Sequence, residues 1–581
     1  QDAPAKTKVE ELVLVNGEPG LQYGISPKGQ HLAAVVLRGS RMVVVYDGVD
    51  GPRFDEILAV AGNQNQKVIF SLDGARYAYV GRQGQEYVVM VDGKELLRGG
   101  PWMSPGSPYT TVDQFDFTPG GKHFYFITHK LDPSRQYYQL YLDGKPGPVS
   151  NNAISSVFSA DGEHHAYLIE INPVTAVRPS SALVVDGKPA GYLAGEPQFT
   201  TDGIHLFTKV LVPGTNSYDV LVDGKSFMRV ASAQLYMAPA GSGVLGVVWS
   251  NFQGGSRFAF LTVGNRKVPG SECAGNAGIN GVYFSPDNKH FAIRCQASPT
   301  SYWVMTDGKK GQEYQGVSNV AFTADGRPVY QASMSGKNFL MIGEQELGPY
   351  QMIMPGDPKT RAETQVSNYA PPPAVINGNR VGVIAQPSPP SGNLRLVVVD
   401  GKVTQGPNAS GLVFSPEGSR YAFVAGISGQ QVIVDGVAQA GLGFTGEQRD
   451  FRRLAFSPDG KHIAYPGFRQ ADNTKQGIAI DGKFLPTGVF SHYALTFTPD
   501  GKHLFWLSRL PTAPRHVIYL DGERVAEIDQ TLGLENETEA WWSMGNDGVL
   551  TFIGQDGGTM KRYRITPGAG SSVETMLAKA R

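Results

Sequence analysis

Phe456-Ser457-Pro458-Asp459-Gly460-Lys461-His462, followed by Ile463-Ala464-Tyr465, is a turn set between two strands. Proline presets φ at the first central position, aspartate suits the second, and glycine accepts φ > 0. The flanks alternate apolar and polar side chains, as half-buried strands do. The stretch recurs as Phe497-Thr498-Pro499-Asp500-Gly501-Lys502-His503. Weaker copies start at Ile25, Phe70, Phe117, Phe158, Phe199, Phe284, Phe322 and Phe414, and degenerate ones sit near Met237, Val375 and Met544. That makes thirteen starts, each opening a hairpin of two strands, A and B.

A second hairpin follows most of these. It is a β-branched run ending in Asp-Gly, as in Leu183-Val184-Val185-Asp186-Gly187-Lys188 and Val397-Val398-Val399-Asp400-Gly401-Lys402. Asp-Gly between such runs signals a type I′ turn, in which both central residues need φ > 0. The pairs begin at Asp47, Asp92, Asp143, Asp186, Asp223, Asp307, Asp400, Asp435, Asp481 and Asp521, and Asn16-Gly17 makes an eleventh. These hairpins join strands C and D.

Two hairpins per period of about 43 residues give a four-stranded antiparallel unit of the size of a propeller blade. One blade cannot bury both of its faces, so neighbours must stack around an axis. The motif Phe-Ser-Pro-Asp-Gly-Lys-His with Ile463-Ala464-Tyr465 resembles the TolB-type, WD-repeat-like β-propeller repeat, over about residues 12–566. The resemblance implies an all-β fold of tandem β-propellers. Proteins of this type include periplasmic binding and scaffold proteins and the propeller domains of prolyl-oligopeptidase-like enzymes.

Thirteen blades exceed the usual four to eight of one ring, so two rings of six and seven are expected. The first propeller is placed at residues 1–275, with an N-terminal strand near Val13 to Glu18 closing a ring, and the second at 276–570. Repeats six, eight and thirteen lack Asp-Gly in the C–D hairpin, and Pro371-Pro372-Pro373 marks a competing boundary. In the tail, 571–581, Ser571 and Glu574 have capping-box spacing while Val573, Met576 and Leu577 share a helical face. A short helix is expected there.

Composition narrows the function classes. Net charge is −1, from 51 basic and 52 acidic side chains, with no basic block. A nucleic-acid partner is therefore not expected, and no apolar run is long enough for a membrane helix. The start Gln1-Asp2-Ala3-Pro4-Ala5 has the look of a chain after signal-peptide removal. It gives an expectation of a periplasmic or extracellular protein. In such a compartment the two cysteines, Cys273 and Cys295, are a disulfide candidate, worth roughly 3 kcal/mol by loop entropy.

Strand order places the A–B and C–D turns at one end of every blade and the B–C and D–A connections at the other. The second end carries the longer loops, where binding residues usually sit. Candidate binding residues there are Trp102, Arg135, Arg178, Arg469, Arg509, Arg515 and Trp541, since aromatic and arginine side chains anchor interfaces.

Seven histidines, His31, His123, His164, His205, His290, His462 and His503, occupy one repeat position and read as scaffold. His129, His165, His492 and His516 have no metal-ligand spacing. No Gly-x-Ser-x-Gly elbow or phosphate-binding loop occurs. No catalytic residue, metal or cofactor is assigned. The expectation is an exported, non-enzymatic binding or assembly scaffold for a protein, peptide or envelope glycan. The alternative is an enzyme acting on a polysaccharide or peptide, with a site built from several blades around a propeller axis.

Overall fold

The computed structural model describes residues 6–16, 22–59, 66–101, 109–132, 135–171, 180–193, 197–200, 203–212, 215, 218–230, 232–237, 245–253, 256–263, 266–267, 273–274, 278–287, 289–354, 374–426, 430–445, 454–487, 491–509, 515–531 and 542–579. These residues form antiparallel strands throughout, with one α-helix, Val573–Lys579. Each repeat start opens a four-stranded sheet in the order A-B-C-D. The first is Gln22–Ile25, Leu32–Arg38, Arg41–Tyr46 and Val49–Phe54. The eighth and ninth blades merge, because Gln345–Ile353 runs on from one to pair with Arg380–Pro387 of the other.

The two turn types follow from their residues. Ser457 Oγ accepts the His462 N–H at 2.9 Å and donates to Asp459 Oδ1 at 2.7 Å, which closes the A–B turn. All ten C–D aspartates have positive φ, with Asp481 and Asp521 both at 48°. The type I′ expectation holds at each.

Successive blades pack face to face through their alternating apolar residues. Phe115, Phe117, Phe124 and Phe126 fill the seam between the second and third blades with Val80 and Val89. On the other face of the third blade, Tyr125, Ile127 and Leu140 meet Ile154 and Tyr167 of the fourth. Fully burying each such side chain contributes about 1.5–3 kcal/mol. Contacts between neighbouring blades continue on both sides of residue 275, through Leu245–Gln253, Ser256–Val263 and Gly278–Phe284.

The N-terminal strand, Lys8–Val15, pairs along its length with Thr559–Thr566, from Lys8↔Thr566 to Val15↔Met560. It is the D strand of the thirteenth blade. This explains why that repeat has no Asp-Gly hairpin: its fourth strand comes from the other end of the chain. It also corrects the reading of Asn16-Gly17 as a C–D turn, because Asn16 follows a D strand. Leu14, Val15, Ile553 and Met560 then pack on Leu32, Ala34 and Val43, so the last blade lies against the first.

The helix expected at 571–581 spans Val573–Lys579 and buries Val573, Met576 and Leu577. Its cap sits one residue later than expected. Ser572 Oγ accepts the Thr575 N–H at 3.1 Å, and Thr575 Oγ1 accepts the Ser572 N–H at 2.8 Å. The helix lies on the short-turn end of the eleventh and twelfth blades, against Ile480, Leu504 and Trp506. Lys483 Nζ donates to the Leu577 carbonyl at 3.0 Å.

A strands of neighbouring blades touch one another, as inner edges of a propeller do. Several of these inner strands come in two pieces. In the second blade Glu56–Ile57 and Ile69–Phe70 pair with the same B strand, Tyr77–Gln83. The eighth, eleventh and thirteenth blades repeat this, with halves at Gly316–Val317 and Ala321–Phe322, Leu442–Phe444 and Ala455–Phe456, and Gln530–Thr531 and Trp542–Met544.

Candidate functional site

Serine or threonine, histidine and aspartate meet in blade after blade. His503 Nδ1 lies 2.7 Å from Asp521 Oδ2, His462 Nδ1 lies 2.6 Å from Asp481 Oδ2, and His31, His123, His164, His205 and His290 each make the same contact with their own C–D aspartate. The hydroxyl, however, receives the histidine backbone N–H and does not face the ring. A nucleophile needs its base on the hydroxyl, so these triplets are turn braces. Arginine replaces histidine in three blades. Arg420 binds Asp435 at 2.9 Å and then reaches the carbonyls of Gly460 and Lys461 in the next blade. Arg76 and Arg380 do the same for their own neighbours.

Of the loop-end candidates, Trp102, Arg178 and Trp541 lie outside the described residues. Arg135 opens the C strand of the third blade opposite Asp132. Arg469 ends the B strand of the eleventh blade, with its guanidinium carbon 5.7 Å from the Phe484 ring centroid. Arg509 is exposed at the matching end in the twelfth, opposite His516. Arg515 is ion-paired with Glu527, Asp529 and Asp556 at 3.0, 3.6 and 2.9 Å. These acids hold it in the junction of the last two blades. The structure thus gathers Arg509 and Arg515 at one hairpin and leaves Arg135 on another blade.

Cys295 is buried and disulfide-bonded, and the chain's other cysteine is Cys273. Cys273 pairs in register with Ala259 of the sixth blade, and Cys295 lies on the B strand of the seventh. Among the described residues no group of three or more His, Cys, Asp or Glu is placed to hold a metal ion. Among the described residues no helix is long and apolar enough to cross a membrane.

One cluster lies off the repeat position. The B strand of the third blade, Phe124–Asp132, begins next to the brace histidine His123 and carries a second histidine, His129, toward its B–C end. Thr111, His129 and Tyr138 lie directly opposite one another on strands A, B and C, so their side chains form a row on one face. The A strand has a bulge between Val112 and Gln114, which leaves Asp113 as the extra residue. Bulges re-aim side chains and are frequent beside active sites. Here Asp113 Oδ2 lies 3.3 Å from His129 Nδ1, and Thr111 Oγ1 donates to Asp113 Oδ1 at 2.5 Å. Tyr138 stacks on the imidazole at 4.2 Å between centroids. Burial and the Asp113 charge raise the Tyr138 pKa above the ordinary phenol value, so it stays a donor. His129 Nε2 is enclosed and has no hydrogen-bond partner among the described residues. No spacing motif in the sequence marks His129. The available signal was a second histidine in a strand whose brace position was already filled.

No family model and no curated protein matches the chain. Solved structures similar to it are β-propellers, WD-repeat propellers among them. They include a prolyl endopeptidase, 12% identical over 61% of this chain and 53% of that one, with a TM-score of 0.23. The chain spans about half the length of that protein. The β-propeller domain of the Trilobed protease from Pyrococcus furiosus is 11% identical over 51% of this chain and 98% of that domain, with a TM-score of 0.24. The Cps50 (Swd1) β-propeller domain of Myceliophteria thermophila is 12% identical over 57% and 99%, with a TM-score of 0.19. Such likeness extends to the fold alone. It nevertheless corrects the expectation of a non-enzymatic scaffold. That expectation rested on the rings of loops, the lack of a catalytic signature and the near-zero net charge. Two of these neighbours are a peptidase and the propeller domain of a protease, so the architecture gives no ground for it.

Proposed function

We propose that the chain is an enzyme acting on peptides, with the third-blade row as its acid–base centre. The observation that carries this is the His129–Asp113 pair, whose outer ring nitrogen has no partner of its own. A buried polar atom requires a partner, and a substrate group or the attacking water supplies it. Asp113 fixes the ring and stabilises the imidazolium, and Thr111 orients Asp113. His129 Nε2 takes a proton from water as its oxygen attacks the peptide carbonyl carbon. The same proton passes to the leaving amine as the C–N bond breaks. Tyr138 is the neighbouring donor for the developing oxyanion.

The repeat's resemblance to TolB-type sequences and the disulfide at Cys295 support a periplasmic or extracellular setting, since disulfides persist in oxidising compartments. The test is cleavage of a defined peptide mixture, followed by mass spectrometry, beside a panel of polysaccharides. His129→Gln and Asp113→Asn should each lower kcat/KM by about 100-fold or more, the usual scale of general acid–base catalysis, at unchanged melting temperature. Cleavage of a polysaccharide in place of peptides, or full activity in both variants, would overturn the reading.

A further inference from the structure

We propose that Asp116 is a specificity residue of this site, selecting peptides with a lysine or arginine side chain about four residues from the bond that is cleaved. The inference rests on the peptide reading above and adds to it the class of substrate.

Register fixes the geometry. Thr111 pairs with His129, Gln114 with Ile127 and Asp116 with Tyr125. His129, Ile127 and Tyr125 alternate along one strand, so they share a face, and their partners on the A strand share it with them. Asp116 therefore stands on the same face as the acid–base row and on the inner edge of the blade. Phe115 and Phe117 point the other way, into the seam with the second blade. From His129 to Tyr125 is four residues, or about 13 Å at the rise of a strand. An extended peptide lying along this edge has the same rise, so the two positions are spaced for side chains about four residues apart.

The surroundings of Asp116 ask for a cation. Its carboxylate accepts a hydrogen bond from its neighbour's backbone, Phe117 N–H to Oδ1 at 2.8 Å. No lysine, arginine or histidine pairs with it among the described residues. Several acids of the first two blades are ion-paired: Asp50 with Arg38, Asp55 with Arg41, Glu56 with Arg82 and Glu86 with Arg98. Asp116 is open to solvent, yet crowding by neighbouring atoms pushes its carboxyl above the usual range. A carboxylate that is reachable, crowded and without a counter-ion gains most from a cationic side chain brought by a ligand. Gln114 lies between the two positions with its amide donating to the Tyr125 hydroxyl at 3.1 Å, which leaves the intervening surface neutral.

The experiment uses fluorescent decapeptides of serine, glycine and alanine with a single lysine moved along the chain. Binding is read by anisotropy and cleavage by mass spectrometry, on the full chain. The wild type should bind and cleave best when lysine lies about four residues from the cut, by about tenfold over serine there, the scale of one charged hydrogen bond. Asp116→Asn should erase that preference, and Asp116→Arg should shift it to glutamate. A lysine preference that survives Asp116→Asn, or a flat lysine scan in the wild type, overturns the inference. If His129→Gln abolishes cleavage while Asp116→Asn changes nothing, this inference alone fails. If peptides bind with an Asp116-dependent lysine preference and are never cleaved, the enzymatic reading fails and the role of Asp116 in binding stands. Absence of any peptide binding overturns both.

Discussion

The carboxylate of Asp521 is wholly enclosed, and His503 sits on it at 2.7 Å. Its other oxygen accepts the backbone N–H of the buried Leu504 at 2.9 Å. Asp521→Ala strands both donors and puts alanine at φ 48°. It should cost about 2–3 kcal/mol. Asp521→Asn keeps the turn and should cost less. His503→Gln should stay within about 1 kcal/mol, because the carboxylate keeps its backbone donor. Urea melts of the three variants rank these effects, and a His503→Gln loss equal to that of Asp521→Ala would contradict the brace role.

Arginine and histidine at the brace position differ in reach. Arg420→His preserves the contact to Asp435 and loses the two carbonyls of the eleventh blade. The expected cost is about 1–2 kcal/mol. Hydrogen exchange should rise at residues 457–462 and stay unchanged at 432–435. Equal exchange at both would show that the clamp adds nothing between blades.

The seam between the third and fourth blades should respond to pH. The hydrogen bond that His123 donates to Asp143 raises the His123 pKa, with Glu163 of the fourth blade adding to it, and within the fourth blade Asp186 raises that of His164. Raised folded values mean that the stabilisation is complete below the ordinary histidine value of about 6.5 and is lost as pH rises through the folded values. Burial lowers the pKa of His165 in the same seam, so its contribution is complete above about 6.5 and fades as pH falls. Replacing His123 and His164 by glutamine should lower the melting temperature at pH 6 more than at pH 9. An equal drop at both would remove the charged histidines from the account.

Removal of residues 1–16 takes the D strand from the thirteenth blade. Lys561 then loses Glu11 at 3.0 Å, and Ile553 and Met560 lose their cover by Leu14 and Val15. Arg562 keeps its bridge to Asp47 at 3.0 Å. Exchange should increase across 550–566 and 32–45 while the second to eleventh blades stay protected. Unchanged protection at 559–566 would mean that the strand is dispensable.

The repeat was legible because its turns are local. Ser457, Asp459 and Gly460 specify their hairpin within a few residues, and Asp-Gly demands positive φ wherever it falls. Closure was not legible, since nothing in Lys8–Val15 names Thr559–Thr566 as its partner. The third-blade row was hidden for a related reason. Thr111, His129 and Tyr138 meet through strand register, and Asp113 joins them through a bulge, neither of which leaves a spacing motif. Loop-end arginines were easy to see and less informative: Arg515 proved to be neutralised by three acids of its own chain.

The pairing of Lys8–Val15 with Thr559–Thr566 sets an order on the making of the protein. Translation runs at about 5–20 residues per second. The first strand therefore waits roughly half a minute to two minutes for its partner to be synthesised. Throughout that time Leu12, Val13, Leu14 and Val15 have no blade to complete, and the open ladder is a template for any other strand nearby. Glu10 and Glu11, set among those apolar residues, keep the waiting strand charged. The thirteenth blade, made after the other twelve, is thus the one that pairs this strand and buries Leu14 and Val15.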